Sequence, residues 1–191
     1  GTKTVVVETV DLDPVLILSA DGERLSAQDT VRLSALPDGD PSTRILTLTS
    51  AGIAPLTVQS VCLTNDQGEC FSDPFSDEGG RLQLCTVQGN DQENCDTPSD
   101  FPLSLLEMEQ RSFRLIYQPE MGDLDVIATR LLVESDANEQ PRLFINILAT
   151  PCTLTQAECE GHSPTSGGSM VNDMSDPSES SAGGMEQGGI G

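Results

Sequence analysis

The sequence predicts an all-β sandwich, and three observations carry that expectation. Apolar and polar side chains alternate from Val5 to Ala149, no window shows a convincing helical period, and clusters of turn-forming residues separate the alternating runs. Many short strands at this spacing fit two packed sheets or a barrel. The expected strands are Thr4–Val10, Val15–Ser19, Val31–Leu36, Thr43–Ser50, Leu56–Leu63, Arg81–Val87, Ser112–Gln118, Ile127–Ser135 and Arg142–Thr150. Between them lie turn clusters at Ala20–Glu23, Pro37–Pro41, Ala51–Pro55 and Asp136–Glu139.

The alternation also says which side chains face inward. Phe113, Leu115 and Tyr117 share one strand face, opposite Ser112, Arg114 and Gln118. Leu131 with Val133, and Leu143 with Ile145 and Ile147, repeat the pattern. With five Phe, one Tyr and no Trp, the core is expected to be largely aliphatic. An antibody-type domain with a buried tryptophan is disfavoured on that ground.

The turns have their own chemistry. Gly52 is expected to take a positive φ at its corner, and Pro55 to stiffen the start of the next strand where no ladder donor is needed. Pro119 and Gly122 are expected to end one strand and reverse the chain. All four are read as structural. The stretch from Thr64 to Pro102 breaks the rhythm, with four cysteines and three phenylalanines, Phe71, Phe75 and Phe101. A loop this long inside a compact domain carries function or structure of its own, and it is read as a disulfide-stapled insertion on the sandwich.

Composition divides the chain. Residues 151 to 191 hold six acids and no Lys or Arg, and 15 of the 31 residues from Gly161 onward are Gly or Ser. Such a stretch cannot bury enough apolar surface to offset its ordering entropy. The expected organisation is an extra N-terminal strand or linker (1–13), a sandwich (14–150) with its insertion at about 64–102, a disulfide-closed turn (151–160) and a flexible, disordered C-terminal tail (161–191).

A net charge of −22 argues against nucleic acid and against anionic lipid as partners. The plain reading of so much acid is a solvated surface that keeps the protein dispersed. No apolar run approaches the roughly 18 residues of a membrane span, and no leader-like segment opens the chain.

Six cysteines fall into three close pairs: Cys62 and Cys70, Cys85 and Cys95, Cys152 and Cys159. Zinc is a poor reading, because no C-x-x-C spacing occurs and the single histidine, His162, lies in the tail. Six cysteines allow 15 connectivities; the expectation is sequential pairing, each bond closing a short turn-rich loop. Disulfides imply an oxidising compartment, so a secreted, periplasmic or surface location is expected.

Strand order and punctuation together resemble a known family, the bacterial abnormal-spindle/hydin (ASH) immunoglobulin-like domains found in choice-of-anchor D surface proteins. The corner from Ile45 through Ser50-Ala51-Gly52-Ile53-Ala54-Pro55 to Val58 carries the likeness, with Tyr117-Gln118-Pro119-Glu120-Met121-Gly122, Leu131–Asp136 and the closing strand Asn146–Thr150. It departs from the family at Leu33-Ser34 in place of Phe-Gly, at Ser50 in place of Asn, at Tyr117 in place of Phe and at Thr150 in place of Gly. The resemblance implies an immunoglobulin-like scaffold or adhesive module, and it transfers no binding residue.

No catalytic constellation stands out. His162 is followed by Ser163 but by no nucleophile elbow, and no phosphate-binding glycine loop occurs. No enzymatic activity is expected. Calcium is the one cofactor the composition suggests, through the short acidic turns Asp38-Gly39-Asp40 and Asp123-Leu124-Asp125, although no twelve-residue loop closed by Glu appears.

Three functions compete. The first is a non-enzymatic structural or adhesive module of a bacterial surface, with copies of itself or neighbouring surface proteins as partners. The second is a fibre or sheath subunit in which Thr4–Val10 adds to a neighbour's sheet edge. The third is a binder of polysaccharide or protein through the insertion.

Overall fold

The computed structural model describes residues 13–88, 92–95 and 101–152. They form eleven strands in two sheets and no helix. The first sheet contains β1 (Leu16–Ala20), β2 (Glu23–Leu25), β4 (Ser42–Ser50), β6 (Leu82–Gln88), β7 (Gln92–Asn94) and β9 (Gln110–Tyr117), in the order β2-β1-β4-β9-β6-β7. The second contains β3 (Thr30–Ala35), β5 (Leu56–Thr64), β8 (Leu103–Leu105), β10 (Ile127–Ser135) and β11 (Arg142–Pro151), in the order β3-β11-β10-β5-β8. All pairings are antiparallel except β3 with β11. The architecture is an immunoglobulin-like sandwich.

The long strands form where alternation is longest. β11 alternates without a break from Leu143 to Ala149, burying Leu143, Ile145, Ile147 and Ala149. Across the gap, β9 buries Phe113, Leu115 and Tyr117, and β4 buries Leu46 and Leu48. Leu131 and Val133 of β10 complete an aliphatic core in which Phe113, Phe75 and Tyr117 are the buried aromatic residues. The register shift between Glu134 and Ser135, opposite β5, is where the β5 alternation slips, so that Val58 and Val61 both face inward.

Three short strands, β2, β7 and β8, were not expected, since three residues are too few to display a period. Where Ala20–Glu23 was expected to be a turn, only Asp21-Gly22 forms the loop. Ala20 pairs with Glu23, and both loop residues have positive φ, the two-residue hairpin geometry that suits Asp-Gly.

Gly52 requires a second correction. Its φ is not positive; the corner needs glycine because an added Cβ would lie 2.2 Å from the Asp13 carbonyl oxygen and 2.8 Å from the Val15 nitrogen. The backbone of residues 13–15 crosses the corner at this point, and Ala51 donates its N–H to the Val15 carbonyl at 2.9 Å. Gly122 has the expected positive φ of 85°. Pro55 immediately precedes β5, and Pro119 is buried just after β9.

The stretch read as an insertion supplies a central element of the sandwich. β6 buries Leu82, Leu84 and Cys85 and pairs with β9 along five residues. Residues 71–77 then cover the edges that β5 and β6 leave open. Leu63 donates to the Pro74 carbonyl at 2.8 Å, and Leu84 donates to the Phe75 carbonyl at 2.7 Å. Phe75 is 7% exposed, and Phe71 and Phe101 pack against the core. The three phenylalanines are therefore spent on packing and form no exposed cluster.

Two disulfides staple this region, Cys62 to Cys70 and Cys85 to Cys95. Each closes a short loop and contributes about 2 to 3 kcal/mol in the chain-entropy description. Cys152 is also disulfide-bonded. Its expected partner Cys159, the expected strand Thr4–Val10 and the 161–191 tail lie outside the described residues.

Three substitutions test these assignments in urea denaturation. Gly52→Ala is expected to lower the unfolding free energy by about 1 to 3 kcal/mol, because the clash is with backbone. Leu115→Ala is expected to lower it by about 2 to 5 kcal/mol. Ile53→Ala, at an exposed site one residue from Gly52, should stay within about 0.5 kcal/mol.

Candidate functional site

Polar chemistry concentrates in two places, the end of the sandwich where β9 finishes and the outer face of the second sheet. At the first, Arg81 lies just before β6 and Asp123 lies in the loop from β9 to β10. The Arg81 guanidinium donates to the Asp123 carboxylate and stands 3.9 Å from Asp77. Asp77 accepts from the Leu82 N–H at 2.7 Å, and the Arg81 carbonyl accepts from the Gln118 N–H at 2.9 Å. Together these contacts clip the 77–82 turn to the 118–126 loop.

Tyr117 is fully buried beside this cluster, and its hydroxyl has no hydrogen-bond partner among the described residues. Burial first, and then the negative charge of Asp123, push its pKa up to about 12. The Asp123 carboxyl is held below the usual carboxylate range, chiefly by the hydrogen bond from Arg81 and then by the Asp125 backbone N–H.

The calcium pairs fare differently. Asp123 is engaged by Arg81, and Asp125 is exposed and contributes its N–H to Asp123 at 3.0 Å. Asp38 and Asp40 are exposed in a turn closed by the Gly39 N–H donating to Leu36 at 3.1 Å. Among the described residues, no three side chains of His, Cys, Asp or Glu come together to hold a metal ion.

Several carboxylates serve the backbone. Asp21 accepts from Ile45, Asp29 from Ser26, Asp73 from Phe75, Glu109 from Leu106 and Asp136 from Thr57, all at 2.7 to 3.0 Å. A charged acceptor on a backbone N–H is a strong hydrogen bond, and here it closes turns and strand ends.

The second place escaped the sequence reading. On the outer face of the second sheet, register sets Arg130 of β10 beside Asn146 of β11 and Thr30 of β3, while Arg32 lies beside Leu148 and Ala128. The Arg130 guanidinium stacks 5.0 Å from the Phe144 ring centre, with Arg142 at 5.5 Å from the same ring. Arg130 also donates to the Asp66 carbonyl at 3.1 Å, and Arg142 pairs with Glu134 at 3.0 Å.

A groove opens here with Ala128, Asn146 and Leu148 as its floor and Asn65-Asp66 as one wall. The Cys62–Cys70 disulfide holds that wall in place. Gly68 inside the loop has a φ of 82°, and a Cβ added there would meet Arg130 and Phe144. Outward alternation of Arg130, Arg142 and Phe144 was visible in the sequence; their meeting depended on register, which was not.

The groove is bounded by the β3 edge, which no other strand pairs among the described residues. Asp29 accepts from the Asn146 N–H and Ala35 from the Cys152 N–H, so odd-numbered residues of β3 turn their backbone toward β11. Thr30, Arg32 and Ser34 therefore present backbone groups outward. The Ser34 N–H is taken by the Ser42 hydroxyl at 3.3 Å.

These features define an immunoglobulin-like β-sandwich module braced by disulfides. No protein-family model matches the chain, and no curated protein sequence does. Solved structures similar to it include a protein of unknown function from Porphyromonas gingivalis W83, at 13% identity and a TM-score of 0.44, covering 74% of this chain and 49% of that one. The chain thus spans about half the length of that protein. The ASH/PapD-like domain 7 of human CEP192 is similar at 11% identity and a TM-score of 0.41, with coverage of 81% and 96%. The periplasmic chaperone SfaE gives 11% and 0.39, with coverage of 75% and 62%. The fold assignment rests on the strand order and core described above.

Tyr117 is the single tyrosine and there is no tryptophan, so ultraviolet titration reads it alone. The native midpoint is expected near 12, against about 10 in denaturant. Because the folded pKa is the higher one, the stability it contributes is present below pH 10 and is lost as pH rises toward 12. Asp123 has the opposite sign. Its contribution is present above the ordinary carboxylate range and is lost as pH falls through its depressed folded value. Asp123→Asn should therefore flatten the acid limb of stability against pH measured by urea denaturation.

Proposed function

We propose that the chain is a non-enzymatic, extracellular immunoglobulin-like module with a structural or adhesive role at a bacterial cell surface. One observation carries the reading: the disulfide-stapled stretch closes the open edges of β5 and β6 and clips the end of the sandwich, so its chemistry is spent on bracing. Cystine cross-links belong to oxidising compartments. The corner around Gly52 and the Tyr117–Gly122 turn, which resemble bacterial ASH-type domains, support the surface setting. Partners of such a module are its own copies, neighbouring surface proteins or surface polysaccharide.

The reading is tested on the full chain by counting thiols under denaturing conditions and by retention of protein-coated beads on bacterial envelopes. No reactive thiol and saturable retention are expected. Free thiols in a fully stable protein would remove the extracellular assignment.

The open β3 edge favours a second reading, a fibre or sheath subunit in which Thr4–Val10 of one copy pairs with the edge of another. Light scattering at several concentrations decides between them. Assembly that disappears when residues 1–12 are deleted supports the subunit; a constant monomer mass for both forms, near 20 kDa for the full chain, leaves a solitary module.

A further inference from the structure

The outer face of the second sheet is anomalous for its charge. The whole chain carries eight arginines and one lysine against 31 acids, yet Arg32, Arg130 and Arg142 share this face. Among the described residues no carboxylate pairs with Arg32 or Arg130, and the Arg32 side chain projects from an exposed position. Arg130 is held in place by the Phe144 ring and by the Asp66 carbonyl, an arrangement that fixes its position without neutralising its charge. The acids facing this region are Asp29, Asp66 and Glu134; Asp29 caps Ser26 and Glu134 pairs with Arg142.

Arg32 and Arg130 lie two strands and two residues apart, an offset of about 12 Å between Cα atoms. Between them the floor is Leu148, Ala128 and Asn146, whose amide nitrogen is already committed to the Gln28 carbonyl at 2.8 Å. Its side-chain oxygen remains an acceptor. This arrangement suits an extended polypeptide bearing spaced carboxylates.

We propose that this groove binds acidic polypeptide, and that its occupant is the chain's own segment 153–191. That segment carries Glu158, Glu160, Asp173, Asp176, Glu179 and Glu186 and no Lys or Arg. It starts beside the groove: the Cys152 N–H donates to Ala35, which lies three residues along β3 from Arg32, a distance of about 10 Å. Thirty-nine residues reach back over that distance with length to spare, and tethering raises the local concentration of carboxylates to roughly the millimolar range. The rest of the body, with a net charge of −16 over residues 1 to 150, repels the same segment. Individual exposed ion pairs are weak, so the contact is a set of rapidly exchanging pairs that salt screens.

The test uses the full chain in two forms, native and with Glu158→Gln, Glu160→Gln, Asp173→Asn, Asp176→Asn, Glu179→Gln and Glu186→Gln combined. Amide resonances of Thr30, Arg32, Asn146 and Leu148 are followed while salt rises from about 20 mM to about 0.5 M. In the native chain they should move with salt; in the neutralised chain they should sit at the high-salt positions throughout. Arg32→Gln, with the remaining spectrum unchanged, should abolish most of the movement at Leu148.

Identical low-salt positions in the two forms would overturn the proposal. Shifts that grow with protein concentration would transfer the occupancy to another copy and overturn docking within one chain. Movement caused by added polygalacturonate, with no difference between native and neutralised chains, would reassign the groove to an anionic polysaccharide.

Discussion

Two adjacent carbonyls join the sheets of this sandwich along one side. Pro74 accepts from Leu63 of one sheet and Phe75 accepts from Leu84 of the other, so two successive peptide units each satisfy a buried donor, one on either sheet. A donor left unpaired at such a depth costs about 1 to 3 kcal/mol, and here two would be stranded together. The surrounding features follow from the need to hold those two carbonyls in place. The Cys62–Cys70 bond limits the loop that approaches them, Phe75 anchors them in the core, and Asp77 caps the turn that leaves them. Arg81 then ties that turn to Asp123 across the end of the molecule.

The acid content has a local logic inside the sandwich. Glycine and asparagine are the usual means of closing turns, but here Asp21, Asp29, Asp73, Asp77, Asp123 and Asp136 accept backbone N–H groups at turns and strand ends. A composition that reads as surface charge is in part a set of built-in hydrogen-bond acceptors. Arginine is used as sparingly as acid is used freely. Arg81 and Arg44 close ion pairs with neighbouring turns, while Arg32 and Arg130 on the outer face of the second sheet have no carboxylate partner among the described residues.

Sequence reasoning recovered the elements whose signal is periodic. β4, β5, β9, β10 and β11 each run eight residues or more, long enough for alternation to declare both the strand and its inward face. It missed β2, β7 and β8 because three residues have no period, and it assigned Gly52 the wrong reason because close approach of another segment leaves no local trace. The stretch from Thr64 to Pro102 looked like an ornament because its cysteines and turns are conspicuous; that Pro74 and Phe75 reach two different sheets is a tertiary fact. The arginine face was hidden for the same cause, since Arg32 and Arg130 are nearly a hundred residues apart and only the β3–β11–β10 register unites them.

The parallel pairing of β3 with β11 fixes how the domain would carry load. The described residues begin beside Ala51, at the end where β4 finishes, and end beside Ala35, toward the end where β4 begins. Tension applied through those two points runs along the strands, so the hydrogen bonds flanking β11 are sheared together instead of being peeled one at a time. β11 is gripped on both sides, by six register positions from β3 and eight from β10. Rupture under such loading is governed by the unfolding rate, and a strand held in shear on both flanks is the geometry that keeps that rate low under pull.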